Sequence, residues 1–551
     1  MWGKCDEENG QNFGVVLVLT IVGLAIYSNA LHGEFISDDY LTVVDNQSIR
    51  HIQAIGEIWK DFNTRFLVGL SFAVNFCLGQ LNVFGYHVFN ILLHIAVSFL
   101  VYQFVRLTFA TPRMRNDVLQ PHARRWSFYA ALIFLCHPIQ TEGVAYITQR
   151  AVAMATFFYL LTLVLYIRGR LQQKWIYSVG AWLAMLVGIF TKEMIVTLPF
   201  TILIYENFFL RDEKYSWRNS LKRLVPFFIL SGVIFYVFLK DQPGSVLNLK
   251  RQIAAQTFNW NYFFTEINVL RTYLRLLVFP VKQNLDYDYP IAMNVREPGT
   301  LFSLFLLLGL LVFAFQQRAR RRLLSFAVIW FFITTSVEVM VVSIVKRGVI
   351  YEHWLYLPMV GFAIFLCAAL GYFFENENSF KRIMVGIIIV FSLLTFQRNR
   401  IWQNEIVFWE DVVEKSPQKA SAYLGAGIAY QRKELLPQAV LSYRKAVDLY
   451  EQKGNDLSVN DKVYYSRVCN NLALTLYLLN QKSEAWETIQ KSLNVFPFNV
   501  EAWNNMGVIA YHLGKYEEAI SAFQRSVELQ GKYPKAEDYI KASTKALQDR
   551  K

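Results

Sequence analysis

Long apolar stretches alternate with short polar segments over the first 400 residues of this chain. A helix that crosses a bilayer needs about 17 or more consecutive, mostly apolar residues. The first stretch is long and lacks a small-residue cleavage site, which favours an anchor over a signal peptide. The pattern predicts an all-α polytopic membrane domain over residues 1–400, with eleven spans. They are residues 13–31, 86–107, 126–140, 151–167, 175–191, 194–210, 224–240, 301–316, 323–345, 354–374 and 383–397.

A different pattern follows, in which a pair of amphipathic helices occurs three times. Equivalent positions hold Gly427, Ala473 and Gly507, and the last two are 34 residues apart. This is the tetratricopeptide period, and the small residues mark where paired helices touch. The sequence therefore predicts a membrane domain followed by a tetratricopeptide α-solenoid. After the membrane domain we expect a linker helix at 401–418 and a repeat region at 419–551. The repeat region contains repeats at about 420–453, 466–499 and 500–533, and then a C-terminal helix.

Composition and charge narrow the class of protein. The chain is 54% hydrophobic and contains 45 Phe, which is more apolar than a soluble multidomain protein. Its formal charge of +13 comes from short clusters beside apolar stretches, without a basic stripe interleaved with aromatics, so nucleic acid is not an expected partner. The five cysteines are scattered without a CxxC pair, and therefore indicate neither a disulfide framework nor a zinc site.

Basic residues cluster in four of the polar segments. Loops that stay in the cytoplasm carry an excess of Lys and Arg, and each cluster follows an even-numbered span. The N-terminus is therefore expected inside and the repeats outside, which requires an outer segment at about 241–300. Arg271 and Arg275 make the apolar stretch 262–281 an interfacial or re-entrant helix rather than a crossing. The clusters are Arg113, Arg115, Arg124 and Arg125; Arg168, Arg170 and Lys174; Arg211, Lys214, Arg218, Lys222 and Arg223; and Arg318, Arg320, Arg321 and Arg322.

Ionisable side chains also occur at the predicted outer ends of four hairpins. Such groups are costly near hydrocarbon unless they share a polar cavity, so they predict a site at the outer membrane surface. Carboxylates together with cations suit transfer of a sugar from a lipid phosphate, because a carboxylate accepts the acceptor proton and cations hold the departing phosphate. The residues are Asp38 and Asp39 in the first outer loop, at about 32–85; Glu142 and Arg150; Lys192 and Glu193; and Lys346, Arg347, Glu352 and His353.

Other interpretations of these residues remain open on sequence. The aspartate pair also suits a helix cap or an Asx turn, and Lys192 with Glu193 suits a neutralised pair at a helix end. His87 and His94 are seven residues apart, whereas metal-binding histidines on a helix are usually four apart, so polar packing between helices is favoured over a metal site. A transporter would use the same groups as an ion relay, but matching interrupted helices in two halves are not apparent.

Several short motifs, taken in order, resemble the transmembrane and tetratricopeptide repeat-containing (TMTC) protein O-mannosyltransferases. The resemblance extends from about residue 35 to residue 530. Two departures concern His353, where that family usually has an arginine, and Phe66, where it usually has a proline. The matching motifs are Asp38-Asp39, Phe84-Gly85-Tyr86-His87 with Asn90 and His94, His137-Pro138 with Thr141-Glu142 and Arg150, Lys192-Glu193, Glu352 with Leu355-Tyr356-Leu357-Pro358, and Trp402, Glu405 and Trp409.

The resemblance implies a C-type (GT-C fold) glycosyltransferase that inverts the anomeric carbon of a polyprenyl- or dolichyl-phosphate hexose. Mannose is favoured as the sugar, although the two departures leave it open. No obligatory cofactor and no metal are implied. An aspartate of the first outer loop is the implied base, with Asp39 the first choice over Asp38. The residues expected at the donor phosphate and sugar are Arg65, Glu142, Arg150, Lys192, Glu193, Glu352 and His353.

The expected activity is transfer of a hexose to Ser or Thr of an exported protein, with the repeats holding the acceptor polypeptide. Candidate acceptor contacts are Tyr423, Tyr430, Asn471 and Asn505. An alternative for the repeat region is that it docks partner proteins and has no role in binding the acceptor. The alternatives for the whole chain are an oligosaccharide polymerase or ligase with a diphosphate-linked donor, and a non-catalytic membrane scaffold. A bacterial inner membrane with periplasmic repeats is favoured over the endoplasmic reticulum with luminal repeats.

The charge pattern makes a direct prediction about sidedness. In a chain whose own cysteines are replaced, Ser421→Cys should react with a membrane-impermeant maleimide from outside intact cells. Arg320→Cys is the matched control and should react only after permeabilisation, because its cluster is predicted to be cytoplasmic. Labelling of position 421 only after permeabilisation would overturn the eleven-span topology.

Overall fold

The computed structural model describes residues 2–211, 217–240, 258–345, 348–374, 376–454, 457–530 and 534–549. Within these ranges the secondary structure is helical and contains no strand, which confirms the predicted all-α class. The predicted basic residues Lys214, Lys346 and Arg347, and residues 241–257 of the predicted outer segment, lie outside the described residues. The chain divides into two compact units, Met1–Leu285 with Tyr289–Asn404, and Asp286–Asp288 with Glu405–Lys551.

The first unit contains fifteen helices among its described residues. They are α1 Trp2–Tyr27, α2 Ile55–Phe62, α3 Phe66–Gly79, α4 Val83–Phe109, α5 Ala123–Cys136, α6 Thr141–Ala145, α7 Arg150–Gln172, α8 Trp175–Gly188, α9 Leu198–Tyr205, α10 Trp217–Lys240, α11 Trp260–Val278, α12 Pro298–Gln317, α13 Arg322–Val345, α14 Pro358–Phe373 and α15 Glu377–Ile401. Short 3₁₀ or π turns interrupt the segments between them. Those that position the candidate site are Tyr40–Val44, Asn63–Arg65, Pro138–Gln140, Ile147–Gln149, Glu193–Thr197 and Glu352–Leu355.

Seven helical segments in the described part of the chain are long and apolar enough to cross a membrane. Each coincides with a predicted span, and two shorter apolar helices, Trp175–Gly188 and Pro358–Phe373, coincide with two more. The chain is therefore a multi-pass membrane protein, while the count of eleven crossings stays a prediction. The seven segments are Asn12–Ala30, Val83–Phe109, Ile147–Gln172, Glu193–Leu210, Pro298–Gln317, Arg322–Ile344 and Glu377–Ile401.

Helix α4 is central to the packing of the first unit, since α1, α5 and α7 all pack against it. Several of its polar side chains are buried and form hydrogen bonds to neighbouring segments. His94 contacts the Tyr356 hydroxyl with Nδ1 at 2.6 Å and the Leu135 carbonyl oxygen with Nε2 at 3.2 Å. His87 contacts the carbonyl oxygen of Gly33 at 3.0 Å. Both histidines thus join α4 to neighbouring segments, as expected for polar packing between membrane helices.

The second unit is a stack of helices in sequential pairs. Glu405 on its first helix forms a 2.6 Å ion pair with Arg432 on the next one. The short segment Asp286–Asp288 belongs to this unit, and Lys419 binds Asp286 at 2.5 Å. These contacts order the start of the repeats. The helices are α16 Glu405–Lys415, α17 Ala420–Arg432, α18 Leu436–Gln452, α19 Val459–Leu478, α20 Lys482–Val495, α21 Val500–His512, α22 Tyr516–Gln530 and α23 Pro534–Gln548.

The small residue in each repeat is matched to the side chain opposite it. A methyl group at Gly507 would lie 2.7 Å from the ring of Phe523, which is too close for van der Waals contact. The middle repeat instead has Ala473 in the equivalent position and the smaller Ile489 in the place of the ring. Close approach of the paired helices therefore fixes the residue size at these positions.

This packing predicts that Gly507→Ala destabilises the repeats by about 1–3 kcal/mol, because a rigid ring cannot move out of the way. The double variant Gly507→Ala with Phe523→Ile copies the native Ala473 and Ile489 pair, and should recover most of the loss. Calorimetry of the full chain in detergent would measure both changes. Equal unfolding temperatures for Gly507→Ala and the wild type would contradict the packing argument.

Candidate active site

An open cavity of about 320 Å³ lies among the predicted outer segments of the first unit. Four ionisable side chains line it, the carboxylates of Asp38 and Asp61 and the cations of Arg65 and Lys192. They come from the first loop, helix α2, the turn before α3 and the segment before the Glu193–Thr197 turn. The remaining lining residues are Leu41, Thr42, Asn46, Phe62, Val68, Phe72, Thr148, Gln149 and Ala151. One cavity thus combines two carboxylates with two cations.

The two adjacent aspartates have different surroundings. Asp38 is exposed, and its backbone N–H donates to the Tyr146 hydroxyl at 2.9 Å. Asp39 is buried, and its carboxylate accepts backbone N–H groups from Ile36 at 3.1 Å and from Thr148 at 2.8 Å. Burial raises the pKa of Asp39 to about 7, although the hydrogen bonds from the two backbone N–H groups oppose that rise. Asp38 is therefore available to a ligand, whereas Asp39 fixes the loop.

Arg65 and Glu193 form an ion pair beside the cavity. Nη2 of Arg65 lies 3.2 Å and 3.3 Å from the two carboxylate oxygens of Glu193. The Arg65 side chain is about half exposed, at 48%, so its other guanidinium N–H groups face solvent or a ligand. Glu193 thus orients Arg65 while using only one of its nitrogens. This arrangement suits an arginine that binds an anion through its remaining N–H groups.

Lys192 lies deeper than Arg65, since only 6% of it is exposed. Its electrostatic neighbours are Glu193, Glu338, Arg65 and Glu142, and it makes no direct ion pair with any residue that the structure describes. Burial lowers its pKa. An ammonium that is buried at a cavity without a direct counter-ion is prepared to receive an anionic ligand.

Glu142 and His353 form a second, fully buried pair. Nδ1 of His353 lies 2.6 Å from one oxygen of Glu142, and the other oxygen accepts the backbone N–H groups of Glu352 and His353 at 3.0 and 3.2 Å. Burial raises the pKa of Glu142 to about 8 and lowers the pKa of His353 well below its usual value. Both shifts favour a neutral acid beside a neutral imidazole at pH 7. Asp38, Arg65, Lys192 and Glu193 all lie within electrostatic reach of His353.

Glu352 is also buried and holds a neighbouring segment in place. Its carboxylate accepts the Gln283 side-chain amide at 2.7 Å and the Asn284 backbone N–H at 2.6 Å. Gln283 also donates to the Pro138 carbonyl oxygen at 3.1 Å. Glu352 therefore joins three segments of the first unit. These contacts indicate that Glu142, Glu352 and His353 brace the cavity rather than line it.

Arg150, expected from sequence to bind the donor phosphate, is fully buried. Its guanidinium donates to Asn90 at 3.0 Å, to Asn75 at 2.7 Å and to Ser71 at 3.1 Å. It also donates to the Tyr86 carbonyl oxygen at 3.2 Å and lies against the rings of Phe72 and Phe89. These contacts join α7 to α3 and α4. The position of Arg150 therefore argues against a phosphate contact, because a ligand would have to displace several of them.

Two glutamates near the site were not among the residues singled out from sequence. Glu338 lies in α13 and is an electrostatic neighbour of Lys192 and Glu193, and Glu266 lies in α11 beside Glu338. Both are buried. A lone carboxylate within an apolar helix is itself a signal of function. That signal was available in the sequence at both positions.

The four acceptor candidates have different environments in the second unit. Asn471 lines a cavity of about 360 Å³ together with Arg432, Arg467 and Glu501. The Tyr430 hydroxyl donates to Glu410 at 2.6 Å, and the Asn505 amide donates to Asn470 at 2.8 Å. Tyr423 is partly buried and packs against the core of the repeats. Among the four, Asn471 is thus the one that a peptide in this cavity would contact.

Comparisons with known proteins confirm the resemblance to the TMTC proteins and the repeat assignment. The family described as tetratricopeptide repeat matches residues 500–533. A protein O-mannosyl-transferase of Caenorhabditis elegans, F38B6.6, is 26% identical, with 82% of this chain and 66% of the relative covered. Human TMTC2 and TMTC4, also named protein O-mannosyl-transferases, are each 24% identical, covering 78% and 75% of this chain. This chain spans 62% and 63% of their respective lengths.

The contrast between the two arginines is testable. Arg150→Met should lower the free energy of unfolding by about 3 kcal/mol or more, because it leaves several buried oxygens without a donor. Arg65→Gln removes only a half-exposed ion pair and should change the free energy of unfolding by about 1 kcal/mol at most. Thermal unfolding of the purified full chain would measure both variants. An Arg150→Met variant as stable as the wild type would show that the buried network does not support the fold.

Proposed function

We propose that this chain is a membrane glycosyltransferase that acts in protein O-mannosylation. It transfers a hexose, with mannose favoured, from a polyprenyl- or dolichyl-phosphate donor to a Ser or Thr hydroxyl of an exported protein. The names of its relatives support the reaction class. The observation that carries the proposal is the single cavity lined by Asp38, Arg65 and Lys192.

The chemistry requires one base and a stabilised leaving group. The acceptor oxygen attacks the anomeric carbon while the Asp38 carboxylate takes the hydroxyl proton. The bond between that carbon and the phosphate oxygen breaks, and its electron pair leaves with the lipid phosphate. Arg65 and Lys192 stabilise the negative charge that develops there. A single displacement of this kind inverts the anomeric carbon. A phosphate leaves as a stable anion, so a second carboxylic acid is not required, in contrast with glycoside hydrolysis.

Asp38 is the better candidate for the base than Asp39, which the sequence had favoured. A general base must come within hydrogen-bond reach of the proton that it accepts. Asp38 lines the cavity, whereas both oxygens of Asp39 are already bonded to backbone amides. We assign Asp39 the role of holding the loop, so that Asp38 keeps its direction toward the cavity.

The repeats are proposed to bind the acceptor polypeptide. Tetratricopeptide stacks present extended surfaces for partner binding, and the cavity at Asn471 offers Arg467 and Glu501 to an extended peptide. Tethering of an acceptor in the same molecule raises its effective concentration to about the millimolar range for a short linker. The proposed location of the repeats is the outer side, in the periplasm for a bacterial inner membrane.

Asp38→Asn should lower the transfer rate by about 100-fold or more, because the amide cannot accept the proton. The assay uses the purified full chain in lipid nanodiscs, radiolabelled polyprenyl-phosphate mannose and a Ser/Thr-containing acceptor protein. Asp38→Asn should keep the wild-type unfolding temperature. Asp39→Asn should lose about 1–3 kcal/mol of stability, because the NH₂ group of the new asparagine would face one of the two backbone N–H groups that the carboxylate accepts. Glu57→Gln, an exposed carboxylate outside the cavity, is the matched control and should transfer normally.

Each other outcome of this assay has a defined meaning. Undiminished transfer by Asp38→Asn would overturn the assignment of the base. Transfer only from a diphosphate-linked donor would favour the polymerase or ligase. Absence of transfer from every lipid-linked sugar and acceptor tried would favour the non-catalytic scaffold.

A further inference from the structure

Two buried glutamates, Glu266 in α11 and Glu338 in α13, have no role in the reaction described above. Glu266 is 1% exposed and Glu338 is 8% exposed. Among the described residues, Oε1 of Glu266 and Oε2 of Glu338 have no hydrogen-bond partner. Buried polar atoms are nearly always bonded, and an unsatisfied one costs about 1–3 kcal/mol. Two such atoms on neighbouring helices therefore require an explanation.

The two carboxyl groups lie within electrostatic reach of each other, and Glu338 lies within electrostatic reach of Lys192. Helices α11 and α13 pack against each other, and α13 also packs against the Glu193–Thr197 turn. Glu338 is an electrostatic neighbour of Lys192, which lines the cavity. Glu266 is in turn a neighbour of Glu338. The packing of α11, α13 and the Glu193–Thr197 turn thus places the two glutamates in the part of the unit that adjoins Lys192.

The chemistry of this cluster limits its ligand. The Lys192 ammonium beside Glu338 disfavours a metal cation there, since the two positive charges would repel each other. Burial, with a contribution from Glu338, raises the pKa of Glu266 to about 9, so its carboxyl group is protonated at pH 7. A protonated carboxyl both donates and accepts hydrogen bonds. A sugar hydroxyl does the same, and a hexose presents several of them side by side.

We propose that Glu266 and Glu338 form the subsite that recognises the hydroxyl groups of the donor hexose. This inference rests on the proposed function, and it adds a separate site for the sugar to the phosphate site at Arg65 and Lys192. The sugar completes the hydrogen bonds of the two buried carboxyl groups. A site built around a substrate hydroxyl discriminates strongly against an analogue that lacks it, because its own polar groups are then left unpaired.

The test compares binding of two lipids to the purified full chain in nanodiscs, polyprenyl-phosphate mannose and bare polyprenyl phosphate. The wild type should bind the mannosylated lipid at least about tenfold more tightly. Glu266→Leu should reduce that preference to about twofold or less while binding of the bare lipid stays unchanged. Glu266→Gln, which imitates the neutral acid, should keep most of the preference. Glu57→Gln, which changes an exposed carboxylate outside the cavity, should keep all of it.

A stability measurement separates recognition from a structural role. Glu266→Leu removes an unsatisfied carboxyl group, so its unfolding temperature without ligand should equal or exceed that of the wild type. The matched control in the same helix is Asn268→Leu. Asn268 bonds Thr300 at 2.9 Å and Ser303 at 2.7 Å, so this variant should unfold at a lower temperature but keep the sugar preference. A less stable Glu266→Leu variant that keeps the preference would overturn the inference.

The binding data also distinguish failure of the inference from failure of the proposed function. Equal binding of the two lipids by the wild type would overturn the sugar subsite and leave the phosphate site in place. Binding of neither lipid would overturn both proposals.

Discussion

A polar group beside hydrocarbon is costly unless it finds a partner, and hydrogen bonds between buried polar groups of distant segments are what the architecture of the first unit depends on. Arg150 is the clearest example of such a buried group. One guanidinium contacts three polar side chains and a carbonyl oxygen on α3 and α4. Glu142 likewise holds the Glu352–Leu355 turn, because its carboxyl group accepts hydrogen bonds from the backbone N–H groups of Glu352 and His353. Buried ionisable side chains therefore link segments that are distant in sequence.

The same requirement separates residues that build the cavity from residues that act in it. Asp39, Glu142, Arg150 and Glu352 are buried and fully engaged, so a ligand would gain little from them and the fold would lose much. Asp38 and Arg65 are exposed at the cavity and keep unused hydrogen-bonding capacity. The distinction does not follow residue type, because each group contains at least one carboxylate and an arginine. It follows from the partners that the fold supplies.

This explains which features could be predicted from sequence. Long apolar stretches and the 34-residue period depend on local spacing, so helices and repeats were predictable. The convergence of ionisable residues from several hairpins was predictable because charge near hydrocarbon must share a cavity. The choice between Asp38 and Asp39 was not, since it depends on the Tyr146 and Thr148 contacts, which are more than 100 residues away in the chain. Glu266 and Glu338 stand out in the sequence as lone carboxylates in apolar stretches, but their position near Lys192 depends on the packing of α11 and α13, which spacing along the chain does not show.

The histidine at position 353 has a consequence for where phosphate is stabilised. The TMTC-like motif usually has an arginine there, and an arginine would carry a permanent charge and keep Glu142 ionised. Burial instead lowers the pKa of His353 and raises that of Glu142, so the pair adds no net charge at pH 7. The positive potential of the cavity then comes from its lining cations, Arg65 and Lys192. In the proposed reaction, charge that develops on a departing phosphate is stabilised where those cations lie, next to the ion pair of Arg65 with Glu193.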